Sequence, residues 1–144
     1  MAETTIADAW IYATLAASSE LQALIGTPQR IYRGMKPEAA KFPCVVFFYQ
    51  PGGQDVRGVG TINIMVSGYW VVKAIDRNNS PVQAARIADL VYALLHGSSG
   101  VVGDEGSVLS MVRDEPIAFV EYLDNALYQH IGGVYRVYVQ RSED

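Results

Sequence analysis

His96 and His130 are the only histidines and Cys44 is the only cysteine, so groups suited to metal or nucleophilic chemistry are few. No His or Cys stands at a spacing from another that would bring both onto one metal ion. A nucleophile needs a base within reach. Cys44 instead sits inside the apolar run Cys44-Val45-Val46-Phe47-Phe48-Tyr49, where burial disfavours the thiolate, and it reads as a core thiol. No serine occupies a strand–Gly-x-Ser-x-Gly–helix setting. The pairs Gly52-Gly53 and Gly58-Val59-Gly60 lack the Lys-Ser/Thr ending and following helix of a phosphate loop. The stretch 97–106 follows a helix and precedes a strand, the reverse of what a phosphate cradle needs. Asp104-Glu105 and Asp114-Glu115 are adjacent residues, which on a strand point to opposite faces and in a loop simply solvate, and nothing singles out a glycosidase-type acid–base pair. The residues therefore read as a protein with no catalytic residues, no metal and no cofactor, which works by binding other protein subunits.

The elements that would carry such binding form one domain over residues 1–144, a length that buries a full core without disulfide or metal. Half of the residues are hydrophobic and 18% are charged. The apolar excess must fill a generous core or cover a subunit interface. The net charge is −4 with the basic residues scattered, so no basic stripe for duplex DNA is present and non-specific affinity for phosphate is weak. The single cysteine fits a reducing compartment. The N-terminus lacks a signal-peptide pattern, and no stretch approaches the ~20 apolar residues of a membrane span. A cytoplasmic site of synthesis and no membrane partner are the expectations.

Thr4 or Thr5 caps a helix to about residue 17, with Ile6, Trp10, Ala13 and Ala17 on one stripe and Ile11 and Leu15 nearly opposite. A surface helix ordinarily has a polar back, so Ile11 and Leu15 either meet a partner or lie under a neighbouring loop. A short helix follows over 20–25, stopped by Gly26 and Pro28, and then a short strand at 30–32. The run 44–49 is apolar on both faces and reads as a central strand. Residues 51–60 read as a projecting glycine-rich loop bearing Asp55 and Arg57. Residues 61–73 alternate as a long strand, with Gly68 marking a bulge or close packing. Ser80 and Pro81 open a helix to Leu95 whose apolar arc is Ala84, Ile87, Ala88, Val91, Leu94 and Leu95. Residues 96–106 read as a mobile loop. Strands follow at 108–113, 117–123 and 134–140, with Pro116 between the first two and a turn at Asp124-Asn125; the last four residues read as a frayed tail. The order of elements gives an α+β fold, a mostly antiparallel sheet with helices packed on one face.

Nine tyrosines and two tryptophans suit surfaces where a ring is buried and its polar end stays wet. Candidate contact residues are Ile11, Leu15, Asp55, Arg57, Tyr69, Tyr128, Tyr135 and Tyr138, with the tyrosine-rich C-terminal half favoured.

The succession of an N-terminal helix, Arg30-Ile31-Tyr32, Phe42-Pro43-Cys44-Val45-Val46, a long strand, a helix from Pro81 to Ala93-Leu94-Leu95 and the run Tyr128-Gln129-His130-Ile131-Gly132-Gly133-Val134-Tyr135-Arg136-Val137 resembles the tail-terminator, or tail-completion, proteins of long-tailed bacteriophages and related phage-like elements. The resemblance spans nearly the whole chain and carries no catalytic signature. It implies a virion protein of the head–tail junction, assembled in the host cytoplasm. Such a protein closes into a ring, usually of six copies, on the last ring of the tail tube. There it ends tube polymerisation and presents the surface that joins the neck or head-completion protein. DNA passes through the lumen without specific binding. A neck adaptor or stopper, or a small enzyme or ligand-binding domain, are the alternatives left open by the residues themselves.

Overall fold

The computed structural model describes residues 3–26, 30–37, 41–57, 60 and 63–142. Pro28, Gly58, Val59, Thr61, Ile62 and the last two residues, on which some expectations fall, lie outside them. The elements are α1 (Glu3–Ala16), α2 (Ser19–Ile25), β1 (Ile31–Arg33), β2 (Cys44–Arg57), β3 (Asn63–Arg77), α3 (Val82–Leu95), β4 (Gly100–Val102), β5 (Gly106–Leu123) and β6 (Ala126–Arg141). The strands make one sheet in the order β1-β2-β3-β6-β5-β4. All neighbours are antiparallel except β1 and β2. The α+β class and the mostly antiparallel sheet are as the sequence implies.

The three helices cover one face of the sheet. Ile6, Ile11 and Leu15 of α1, Leu21 and Ile25 of α2 and Ile87, Val91 and Leu95 of α3 pack with Val45, Phe47, Trp70, Val72, Tyr135 and Val137 of the strands in one buried cluster. The period-2 alternation of a strand puts Cys44 and Val46 on the other face. There they join Ile75, with Tyr32, Phe42 and Tyr128 packed around them. Cys44–Phe47 therefore have apolar cover on both faces, as read, whereas Tyr49 is 39% exposed and β2 lies beside the sheet margin and not at its centre. Local caps agree with the helix starts and stops: Ser18 Oγ accepts from the Leu21 N–H, and Gly26, at φ 85°, ends α2. The Val82 N–H donates to Ser80 Oγ, and the buried residues of α3 follow the expected arc.

Four further expectations are corrected. The buried stripe of α1 is Ile6, Ala7, Asp8, Ile11 and Leu15, while Ala13 and Ala17 are exposed. A helix apolar on all sides gives periodicity no means of choosing a face, and the larger side chains bury more area against the sheet. Residues 51–57 are not a loop but the far half of β2. The register slips between Gln50 and Gln54, where a Cβ on Gly53 would collide with the Ser67 carbonyl oxygen and the Tyr49 hydroxyl stands 3.2 Å away. This is the bulge that Gly68 signalled, carried on the partner strand. The stretch 96–106 contains β4 and the turn into β5. Finally, 108–113 and 117–123 are one strand. Pro116 does not divide them because β5 runs along the sheet margin, where a missing N–H breaks no ladder bond, and a register shift between Arg113 and Glu115 absorbs it.

Candidate functional site

Sheet edges display unsatisfied backbone donors and acceptors, so each needs an account. The outer side of β5 has one for its first half. β4 pairs Gly106–Val108. Beyond β4, the Gly97 N–H donates to the Met111 carbonyl at 2.7 Å and the Arg113 N–H donates to His96 Nδ1 at 3.1 Å. His96 is held for this by stacking on Tyr92 at 4.6 Å, and the Arg113 guanidinium lies over the same Tyr92 ring. Pro116 has no N–H to place. From Ile117 to Leu123 nothing among the described residues pairs with the outer side of the strand.

That bare segment reads Ile-Ala-Phe-Val-Glu-Tyr-Leu. It contains no proline or glycine and one charge. The helices do not extend over it, so Phe119 is 47% exposed, Val120 56%, Tyr122 68% and Leu123 53%. A two-residue turn, Asp124-Asn125 with φ 51° and 61°, joins it to β6; these positive angles suit the right-handed twist of a hairpin. The Tyr122 hydroxyl donates to Asn125 Oδ1 at 3.1 Å. A long, apolar, unpaired edge is a template for pairing with another chain. The residues are held in place by the next strand. Phe119 stacks on His130 at 4.4 Å, Lys73 lies 5.0 Å over the Phe119 ring, and Glu121 Oε1 stands 3.3 Å from His130 Nε2. Burial, and then the Lys73 charge, hold the His130 imidazole below its ordinary value, against the pull of Glu121. The other margin is also open. β1 pairs only Val45–Phe47 of β2, and among the described residues nothing covers the outer side of β2 from Phe48 to Arg57.

The residues singled out from sequence fall into three groups. Ile11 and Leu15 are completely buried in the core between α1 and the sheet, so they are corrected from contact to core residues. Tyr135 is likewise 1% exposed, opposite Trp70 in the ladder, and burial pushes its phenol up to about 12. Asp55 and Arg57 are exposed on the open β2 margin, 4.0 Å apart. Tyr69 and Tyr138 lie on the face away from the helices beside Arg136. Arg136 donates to the Tyr69 hydroxyl at 2.9 Å and pairs with Asp114 at 3.1 Å. Tyr128 packs edge-on against Phe42 at 5.1 Å. The exposed residues of the bare segment were missed. Their apolar run was legible, but a run apolar on both faces ordinarily signals burial.

Cys44 is fully buried and its thiol is pushed up to about 11 by that burial, consistent with a core role. Among the described residues no cluster of three or more His, Cys, Asp or Glu could hold a metal ion. No helix among them is long and apolar enough to cross a membrane.

Comparison with known proteins gives the geometry its context. No curated protein matches the sequence. In the solved virion of a native gene transfer agent (GTA) particle, one chain is 19% identical; the match covers 90% of this chain and 91% of that one, with a TM-score of 0.65. That likeness is one of fold. The family model described as Tail completion protein gp17 matches residues 9–132, a span reaching from α1 into β6. The chain thus belongs to the tail completion protein gp17 family, structural proteins of the phage-type virion tail.

Proposed function

We propose that the chain closes into a ring, of six copies as the family resemblance implies, that caps the tail tube, ends its polymerisation and presents the surface for head–tail joining. The observation that carries this reading is the bare β5 margin, Ile117–Leu123, with Phe119, Val120, Tyr122 and Leu123 exposed. Soluble monomers keep such edges short, charged or covered. A ring requires heterologous contacts in which two different surfaces of each copy meet, and the sheet leaves a different margin open at each end. The remaining partners are the tube protein on one ring face and a neck or head-completion protein on the other. The acidic balance of the chain suits a lumen that lets DNA pass without gripping it.

The test is co-sedimentation of the purified chain with polymerised tail-tube protein and, separately, with the portal-side neck protein. Saturable binding to tube ends at a ratio far below one per tube subunit supports the cap. Binding to the neck side alone points to an adaptor or stopper and overturns it.

A further inference from the structure

The two margins of the sheet carry opposite charge. Residues 30–57, which contain β1 and β2, hold five basic and two acidic side chains, a net +3. Residues 100–124, which contain β4 and β5, hold one basic and six acidic side chains, a net −5. The rest of the chain accounts for only −2 of the total of −4. Each charge excess is carried by one contiguous segment, and the strand order places the two segments at opposite ends of one sheet.

Strand direction adds a second constraint. β2 is antiparallel to β3, β3 to β6 and β6 to β5, so β2 and β5 run in opposite directions. β1 runs with β2. When two copies stand side by side in the same orientation, the β5 margin of one meets the β1/β2 margin of the next with antiparallel polarity, the better-bonded arrangement. The margins are stepped in opposite senses along the strands: through the ladders Ile117, Ala118 and Phe119 lie level with Val46, Val45 and Cys44, so the β1 strand of one copy, which also runs antiparallel to β5, faces the bare β5 edge of the next. On one margin β4 and the His96-Gly97 corner cover the first half of β5 and leave Ile117–Leu123 bare. On the other, β1 covers the first residues of β2 and leaves Phe48–Arg57 open.

From this we infer that copies of the chain associate head to tail, the acidic β5 margin of one copy pairing antiparallel with the basic β1/β2 margin of the next. The occupant of the bare Ile117–Leu123 edge is thus a second copy. The charges set the direction of association. Two acidic margins repel and so do two basic ones, which disfavours the symmetric β5-on-β5 pairing that an apolar edge alone would permit. The inference deepens the ring reading and relies on it only for closure of the row of copies.

The experiment uses two charge-reversed full-length variants, each checked for a native-like melting transition. One carries Glu115→Lys and Glu121→Lys, the other Lys41→Glu and Arg57→Glu. Mass is measured by light scattering across a concentration and salt series, with tail-tube protein ends added in a parallel set. The wild-type chain is expected to assemble, more weakly as salt rises. Each variant alone is expected to need about tenfold more protein or more to do so. An equimolar mixture is expected to recover assembly, because each variant then offers the margin that the other lacks. Assembly of either variant at wild-type concentrations, or a mixture that stays dissociated, overturns the pairing while leaving the ring intact. A two-copy species insensitive to the Lys41→Glu/Arg57→Glu change points to β5-on-β5 pairing and also overturns it. A wild-type chain that remains at 15.7 kDa throughout, tube ends included, overturns both the pairing and the ring.

Discussion

Leu15→Ala and Ile11→Ala separate a core role from a contact role at the two positions where helix periodicity alone favours the wrong face. Both side chains have no exposed area and belong to the main cluster between the helices and the sheet. Truncating a fully buried Leu or Ile to Ala removes its transfer free energy and leaves a cavity, costing about 2–5 kcal/mol. With an unfolding entropy of roughly 2.1 cal/mol/K per residue, a chain of 144 residues loses about 3 °C of melting temperature for each kcal/mol. A loss of about 3 kcal/mol thus lowers Tm by about 10 °C. The assay is a thermal melt followed by circular dichroism at a concentration where the chain is dissociated. Val101→Ala, at a residue 72% exposed, is the control and should change stability by no more than about 0.5 kcal/mol. Tm shifts below about 2 °C, accompanied by a change in assembly, would refute the placement of α1 and return Ile11 and Leu15 to the surface.

Two further predictions concern polar groups. Asp8 is buried and accepts from Trp70 Nε1 at 3.0 Å while pairing with Arg33. Asp8→Ala leaves the indole N–H unsatisfied and should cost about 1–3 kcal/mol. Asp8→Asn keeps an acceptor and loses only the pairing with a largely exposed arginine, so urea unfolding should rank it as milder; equal losses would mean that the indole bond is not the important one. His130 is held neutral by burial and Lys73 against Glu121. Its folded pKa lies below that of the unfolded chain, so the unfolded state gains the proton first on acidification. Its contribution is therefore intact above the ordinary value of 6.5 and is lost as the pH falls below it. Melts at pH 5 and pH 8 should show a smaller acid loss for His130→Gln than for wild type, and an identical loss would contradict the burial argument.

The sequence reveals those parts of the fold in which local pattern and tertiary setting agree. The amphipathic arc of α3, the Gly26 stop and the double cover of Cys44–Phe47 all lie where the pattern puts them. It misleads where tertiary pairing overrides local cues. Pro51-Gly52-Gly53 resembles a loop, yet the neighbouring β3 supplies enough ladder bonds to carry a strand through a bulge. Pro116 resembles a break, yet at a sheet margin it costs no bond. The tyrosine-rich C-terminal half contains both kinds of residue, because alternation along β6 sends Tyr135 into the core and Tyr138 to the other face. The bare edge at Ile117–Leu123 could not be read locally at all. Its exposure follows from strand order and from where the helices end, and neither is a property of the seven residues themselves.

Electron microscopy of tail tubes polymerised with and without the chain tests the capping role most directly. Tubes formed with it should be shorter and carry one added ring of density at a single end, with no growth beyond that end when more tube protein is supplied. Tubes of unchanged length that keep growing at both ends, with no added density, would contradict the capping role.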